Sequence, residues 1–523
     1  MSRNVTGLPN ADSGMVSVTI ESAWEADDPS GSMTPLSSPP IRSAGLLLLL
    51  GVAIPHAIGA ALDALLAVRF HYEILYGEGV VWEQALLMGG PRAYSSSTEL
   101  PFIVFHYPPV YHGLIRAVGL VSTDLLSAGR IVSSIATGVF ALAVAMVVWT
   151  AGSKQAGQRL RLLCAAAAAL LILCVPNIRA FGFLMRVDMV ANALGPIALL
   201  IAFSGRPTLV RTAAALTIAT VAVYTKQSEL AAGVTIFAIM FHTRSRQTLL
   251  ATLIVGMMAL SVLAAVQFAT DGGFLTHLIF YNLNRTDLPG WILRLSSEWS
   301  NLPLISVVVG LLIFCVPRNG DGLGSGRTLL GRGVLVFFTL NLLYVLALAK
   351  SGSTFNYLNS LYGAGCMVVG LGLTQTLSGS RASVWIGNII ACSLAIWIAF
   401  LPVRRLQGFL DAQDLPEQDK LIAMIAAAPS PVISDDLALV IKAGQPALIE
   451  PAIVTELALT GRWNEQPLID LIRQGGVAFA ITETEDMDDD RRSPGVLAAL
   501  RAAFPRAKRF TRRHWLHLPP IDP

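Results

Sequence analysis

Long apolar runs joined by short polar connections dominate the chain. A membrane-crossing helix needs roughly 20 mostly apolar residues. Runs of that kind lie near 44–68, 127–149, 161–177, 188–204, 209–224, 228–242, 248–268, 301–316, 333–349, 359–377 and 384–401. They predict about eleven spans and an α-helical polytopic membrane protein. Residues 1–40 lack this pattern. They are rich in Ser, Pro, Asp and Gly and read as a disordered tail. Segments 69–126 and 269–300 read as long loops. From 402 to 523 the character changes again. Short apolar segments at 432–434, 447–449 and 477–481 read as buried strands, and 453–459 and 468–473 as amphipathic helices. That alternation predicts a small C-terminal α/β domain. The expected organisation is a tail (1–40), a membrane domain (41–401) and a C-terminal domain (402–523).

Composition agrees with the pattern. Of 523 residues 54% are hydrophobic and 14% charged, with a mean hydropathy of +0.61. An average soluble protein carries about 25% charged residues, so this chain needs lipid around it. The net charge of +3 comes without any Lys/Arg tract, which sets nucleic-acid binding aside. The five cysteines fall inside apolar runs without CxxC spacing, and read as small core residues. The first apolar run starts too far in for a cleavable signal peptide and lacks a small-residue cleavage site. It reads as a signal anchor and first span.

Basic residues set the orientation. Lys154, Arg159 and Arg161, then Arg206 and Arg211, Arg244 and Arg246, Arg318, Arg327 and Arg332, and Arg381 occupy one set of short connections. Those connections are expected in the cytoplasm of a bacterial inner-membrane protein, with the N-terminus. Both long loops and the C-terminal domain are then periplasmic.

The polar clusters fall on the opposite, outer side. They are Tyr76-Gly77-Glu78-Gly79, His106-Tyr107-Pro108-Pro109-Val110-Tyr111-His112, Arg179, Arg186-Val187-Asp188, Lys226-Gln227, Asn282, Asn284, Arg285, Lys350 and Asn356-Tyr357. A charge at the bilayer centre costs on the order of 2.5–3.5 kcal/mol, so charges at span ends face a cavity or the interface. Such a set suits an enzyme that takes a lipid-borne substrate at one membrane face. Each residue also has a plainer reading. Glu78 is either a solvated loop carboxylate or a catalytic group. Arg186 and Asp188 form a structural ion pair or bind substrate. Lys226 snorkels or binds phosphate. Asn356-Tyr357 caps a helix or hydrogen-bonds a sugar. His106 and His112, six apart in a loop, match no standard metal spacing. Asp63, inside the first span, is expected to pair with Arg69.

The order of these motifs resembles the GT-C superfamily of polytopic glycosyltransferases. It is closest to bacterial protein O-mannosyltransferase-like, aminoarabinose-transferase-like and galacturonosyltransferase-like enzymes. The resemblance rests on Tyr76-Gly77-Glu78-Gly79, Tyr107-Pro108-Pro109-Val110-Tyr111, Gly129-Arg130, Arg186-Val187-Asp188, Thr225-Lys226-Gln227 and Asn356-Tyr357, and spans roughly residues 60–370. It implies a GT-C-like fold, a polyprenyl-phosphate sugar donor and inverting transfer on the outer face. The acceptor is a lipid, polysaccharide or protein of the cell envelope. In that family an acidic residue of the first outer loop serves as base or metal ligand, and Glu78 sits at the matching position. No cofactor follows from the residues beyond a possible divalent metal ion, whose ligands stay unassigned. Relatives often carry an acidic residue two places after Asn-Tyr. Here Asn359 stands there, so that site has no carboxylate role.

The expected mechanism is a direct displacement, with Glu78 as general base and Arg186 and Lys226 holding the donor phosphate. Asp188, Tyr107, Gln227, Asn356 and Tyr357 are the expected substrate contacts. Two other classes compete: a flippase of a lipid-linked sugar, and a non-catalytic envelope-assembly protein. Convergence of Glu78, Arg186 and Lys226 in one place separates the enzyme from both.

Overall fold

The computed structural model describes residues 43–121, 124–315, 326–404, 406–487 and 491–521. The expected tail over 1–40 and Arg318, expected on the cytoplasmic side, lie outside them.

Each apolar run is helical. The first forms α1 (Ala44–Arg69), and the loop after it carries α2 (Glu78–Leu87) and α3 (Val110–Gly119). Then follow α4 (Leu125–Ala151), α5 (Gln158–Cys174), the short α6 (Pro176–Phe181), α7 (Asp188–Phe203) and α8 (Leu209–Thr225). The two runs at 228–242 and 248–268 join as α9 (Ala231–Ala269). It is kinked at Arg244, whose φ of −147° and ψ of 61° leave the helical region. The second long loop carries α10 (Gly273–Leu278) and α11 (Leu288–Ser297). The remaining runs form α12 (Leu302–Cys315), α13 (Gly326–Leu342), α14 (Asn359–Leu377) and α15 (Arg381–Ala399). Among the described residues six segments are long and apolar enough to cross a membrane: Ala44–Arg69, Leu125–Ala151, Ala231–Ala269, Leu288–Ile313, Gly326–Ala349 and Arg381–Ala399.

The bundle has a tightly packed centre and an apolar exterior. Nearly every residue of α14 is buried, and its glycines make that possible. A Cβ on Gly363 would come within 2.1 Å of the Phe140 ring, and one on Gly370 within 2.6 Å of Val148. Without a hydrophobic drive between helices in lipid, such close approach supplies the packing energy. Leu47, Ile54, Ile58, Leu253, Met257, Ile389 and Ile396 point outward and are exposed, as lipid-facing residues must be.

The basic connections gather at one end. Arg327 Nη1 donates to the Gly152 carbonyl at 2.8 Å, and Ser153 N to Thr374 Oγ1 at 3.2 Å. At the other end the start of α4 meets the end of α1, where Ser127 Oγ donates to the Val68 carbonyl. The polar motifs lie there. Asp63 does not pair with Arg69 as expected. It accepts from Arg179 Nη2 at 3.0 Å and Arg404 Nε at 2.9 Å, because both guanidiniums reach it from neighbouring segments.

The C-terminal segment holds α16 (Leu406–Asp411), α17 (Leu415–Ala426), α18 (Leu437–Lys442), α19 (Pro451–Leu459), α20 (Gln466–Arg473) and α21 (Pro494–Ala503). Its strands are β1 (Ile433–Ser434), β2 (Ala480–Thr482), β3 (Arg506–Arg509) and β4 (Trp515–Leu518). They form one sheet in the order β1-β2-β4-β3, with β1 parallel to β2 and the rest antiparallel. Segment 447–449 is not in this sheet. Phe102 N donates to the Leu448 carbonyl at 2.8 Å, and Phe102 bridges to Ile449, so the first loop claims that backbone. Phe102 also stacks on Trp463 at 5.5 Å. Phe70 and Tyr72, just past α1, pack with Val432, Phe479 and Leu516. The C-terminal segment is therefore built onto the first loop.

Candidate active site

Asp188 is the centre of the polar cluster. It opens α7, where a carboxylate meets the positive end of the helix dipole. It is fully buried and accepts from three side chains: Lys226 Nζ at 2.8 Å, Asn356 Nδ2 at 2.7 Å and Arg186 Nε at 3.2 Å. These donors come from the end of α8, the turn before α14 and the turn before α7. One carboxylate thus gathers two cations and an amide from three parts of the chain. Lys226 Nζ also lies over the Tyr357 ring, 4.8 Å from its centroid. Arg186 Nη1 donates to the Tyr76 carbonyl at 3.2 Å, and Nη2 lies 3.5 Å from the Tyr107 hydroxyl.

One glycine shapes this approach, and its backbone needs it. Gly77 has φ of +101°, and a Cβ there would sit 2.6 Å from Arg186 Nη1. Only glycine fits both the left-handed turn and the guanidinium.

A second group of residues surrounds His106. Gln227 Nε2 donates to the His106 carbonyl at 2.8 Å, and Asn282 Nδ2 to the same oxygen at 3.3 Å. Lys350 Nζ lies 3.5 Å from Asn282 Oδ1. Burial pulls the Lys350 ammonium down to about 8. His106 Nε2 is 3.5 Å from Glu450 Oε2, at the N-terminus of α19. Glu450 also accepts from the Tyr76 hydroxyl. Its carboxyl stays below the usual glutamate range because the His106 and Tyr76 hydrogen bonds and the Ile453 amide outweigh burial, itself the largest single influence.

Glu78 is placed otherwise than expected for a base. Its side chain is fully buried at the start of α2. Four N–H groups occupy its two oxygens: Arg130 Nε and Nη2 at 2.8 and 2.7 Å, Ile74 N at 2.9 Å and Met185 N at 2.8 Å. A carboxylate has about four acceptor positions, so none is left for an acceptor hydroxyl. Through Met185 N it fixes the turn that carries Arg186. Sequence reasoning placed Arg130 only as part of a motif and missed Glu450 altogether. Glu450 lies in another part of the chain, and its one local signal, a Glu-Pro pair opening a helix, marks a cap rather than a site.

Arg186, Asp188, Lys226, Asn356, Tyr357 and Tyr107 thus come together, with Gln227 one residue from Lys226. Glu78 stands behind them. A metal would need free carboxylates or imidazoles. Asp188 is taken by two cations, Glu78 by Arg130, and Glu450 by His106 and Tyr76. Among the described residues no group of three or more His, Cys, Asp or Glu side chains could hold one. The donor set does not fit a divalent ion.

The structure is similar to the crystal structure of ArnT from Cupriavidus metallidurans bound to undecaprenyl phosphate. The match has 12% identity, covers 91% of this chain and 98% of that one, and has a TM-score of 0.54. It is also similar to the apo oligosaccharyltransferase of Archaeoglobus fulgidus, at 12% identity over 88% of this chain and 73% of that one, with a TM-score of 0.49. No protein-family model and no curated protein matches the chain. The likeness to ArnT shows that this chain has that protein's fold, the fold of the GT-C superfamily.

Proposed function

We propose that the protein is a membrane glycosyltransferase. It transfers a sugar from a polyprenyl-phosphate donor to a cell-envelope acceptor on the periplasmic face, with inversion at the anomeric carbon. The observation that carries this reading is the pairing of Arg186 and Lys226 on one buried carboxylate, Asp188, at the end of the bundle opposite the basic connections. Positive residues favour the cytoplasm, which puts this cluster outside. The about eleven helical runs then act as spans, with short or buried ones completing the bundle. The N-terminus is cytoplasmic, and residues 402–523 form a periplasmic α/β domain over the cluster.

The chemistry follows from the charges. As the bond from sugar to lipid phosphate breaks, negative charge grows on the phosphate. Arg186 supplies planar donors and Lys226 a point charge. In a site shielded from water such fixed cations stabilise developing charge strongly. Asp188, itself held by Asn356, fixes Lys226 in place beforehand, so little reorganisation is needed. ArnT in its complex binds undecaprenyl phosphate, a lipid of the same chemical class. Gln227 Oε1 is buried without a hydrogen-bond partner among the described residues, as an acceptor reserved for a sugar hydroxyl would be. Tyr107 and Tyr357 supply the aromatic walls.

The test uses membranes containing wild type or Arg186→Ala at matched expression, with a panel of labelled undecaprenyl-phosphate sugars. Transfer of label to envelope material by wild type, and its loss in the variant, is the expected result. A broad panel giving no transfer with wild type would sink the proposal.

A further inference from the structure

Displacement at the anomeric carbon needs a group to take the acceptor's proton, and Glu78 has no free acceptor position. We infer that His106, oriented by Glu450, is that general base. The inference rests on the glycosyltransferase reading above. The side chain of His106 is 17% exposed whereas that of Glu450 is 3% exposed, so the ring alone can meet an incoming acceptor. With Nε2–H turned to Glu450, Nδ1 carries the lone pair. Nδ1 makes no hydrogen bond among the described residues. A carboxylate behind an imidazole both orients the ring and stabilises the imidazolium that forms.

The pair is tied to the phosphate-binding cations by three separate tethers. Tyr76 gives its carbonyl to Arg186 and its hydroxyl to Glu450. Tyr107, next to His106, places its hydroxyl by Arg186 Nη2. Gln227, next to Lys226, holds the His106 carbonyl. The His106–Glu450 pair and the two cations are thus linked along three paths. An inverting displacement needs base and leaving group on opposite faces of the sugar ring, and the inference assigns these two places to His106 and to Arg186 with Lys226.

The step balances. The acceptor oxygen attacks the anomeric carbon with a lone pair and forms the new C–O bond. The bond from carbon to phosphate oxygen breaks, and its electron pair leaves with the lipid phosphate. The acceptor's proton passes to His106 Nδ1, and later to water. No oxidant, reductant or further co-reactant is required.

The other titratable groups near the ring do not compete for this role. His112 and His277 are pushed down to about 4, chiefly by burial. They stay neutral through the pH range that matters. Tyr107 lies edge-on to the ring, Tyr76 reaches Glu450 as a phenol donor, and Lys350 is reached through Asn282.

The experiment measures two things on the full-length protein in detergent: binding of undecaprenyl phosphate alone, and release of undecaprenyl phosphate from the active donor of the panel across pH. Wild type should show a rate that rises with pH, since the base must be neutral. His106→Gln should lose the rising limb and about 10²–10⁴-fold of kcat while binding undecaprenyl phosphate as wild type does. Glu450→Gln should keep the limb but lower kcat along it, because the ring has lost the carboxylate that orients it. A His106→Gln enzyme that keeps kcat and the limb overturns the inference and leaves the glycosyltransferase reading standing. Wild type that neither binds undecaprenyl phosphate nor turns over any donor overturns both.

Discussion

Glu78 and Arg130 make the sharpest separation between a positioning role and a catalytic one. Both are fully buried, and each oxygen of Glu78 accepts two N–H groups. Replacing Glu78 by Gln keeps the shape and leaves one acceptor oxygen. The new amide nitrogen must then face two donors, either Arg130 Nη2 and Ile74 N or Arg130 Nε and Met185 N. Two hydrogen bonds are lost, one of them charge-assisted, and each is worth about 1–3 kcal/mol. Arg130 also becomes a buried cation without its anion, and breaking such a pair costs about 3–5 kcal/mol. The expected loss is therefore about 3–5 kcal/mol in total, since the two figures describe the same broken contacts. Arg130→Met should cost a similar amount, and the double variant much less than the sum. Reversible unfolding in mixed micelles measures all four proteins. The coupling free energy should be at least about 2 kcal/mol. A Glu78→Gln protein as stable as wild type, binding undecaprenyl phosphate normally but slowed 10²-fold or more in kcat, would refute the positioning role and return Glu78 to the chemistry.

Two further outcomes follow from single positions. Gly77→Ala places a methyl 2.6 Å from Arg186 Nη1 at a φ of +101°. Undecaprenyl phosphate binding should weaken at least tenfold, measured by titration, while an alanine at Gly113, where a Cβ meets nothing within 4 Å, should leave it unchanged. Glu83 is buried on α2, and burial raises its carboxyl to about 7 against the opposing pull of Arg92. Its folded value exceeds its unfolded one, so the stability tied to its neutral form is present below about 4.5 and is lost as pH rises through about 7. Glu83→Gln should therefore resist unfolding better than wild type at pH 9 by up to about 3 kcal/mol, and by little at pH 5. Parallel unfolding curves at the two pH values check this, and equal gaps would refute it.

The membrane class was legible because apolar period and length survive any tertiary arrangement. So was the gathering of Arg186, Asp188, Lys226, Asn356 and Tyr357, since each sits at the same end of a helical run. The C-terminal segment was read less well. Strand β3, Arg506–Arg509, is exposed throughout and carries three basic residues, so it has no alternation to detect. Charges there guard an edge strand against pairing with other chains. Segment 447–449 looked like a strand of the sheet, but its backbone partner is Phe102 in the first loop. That partner lies far away in sequence, and no local pattern encodes it. Glu78 was legible as special, yet its role was not. Only the fold shows that Arg130 from α4 fills its acceptor positions.

The division of labour within the site has a physical reason. Arg186 and Lys226, proposed to hold a lipid phosphate, sit at the ends of packed helices, where Asp188 and the dipole of α7 fix them. A rigid setting suits them, because the phosphate gains charge without moving far. The proposed base has a different demand: it must meet a second substrate arriving from outside. His106 sits on a loop, and its partner Glu450 comes from the C-terminal segment. The two halves meet through Tyr76, which bonds to Arg186 with one end and Glu450 with the other. Loss of contact between the C-terminal segment and the first loop would therefore cost the base its orientation before it cost the phosphate its cations.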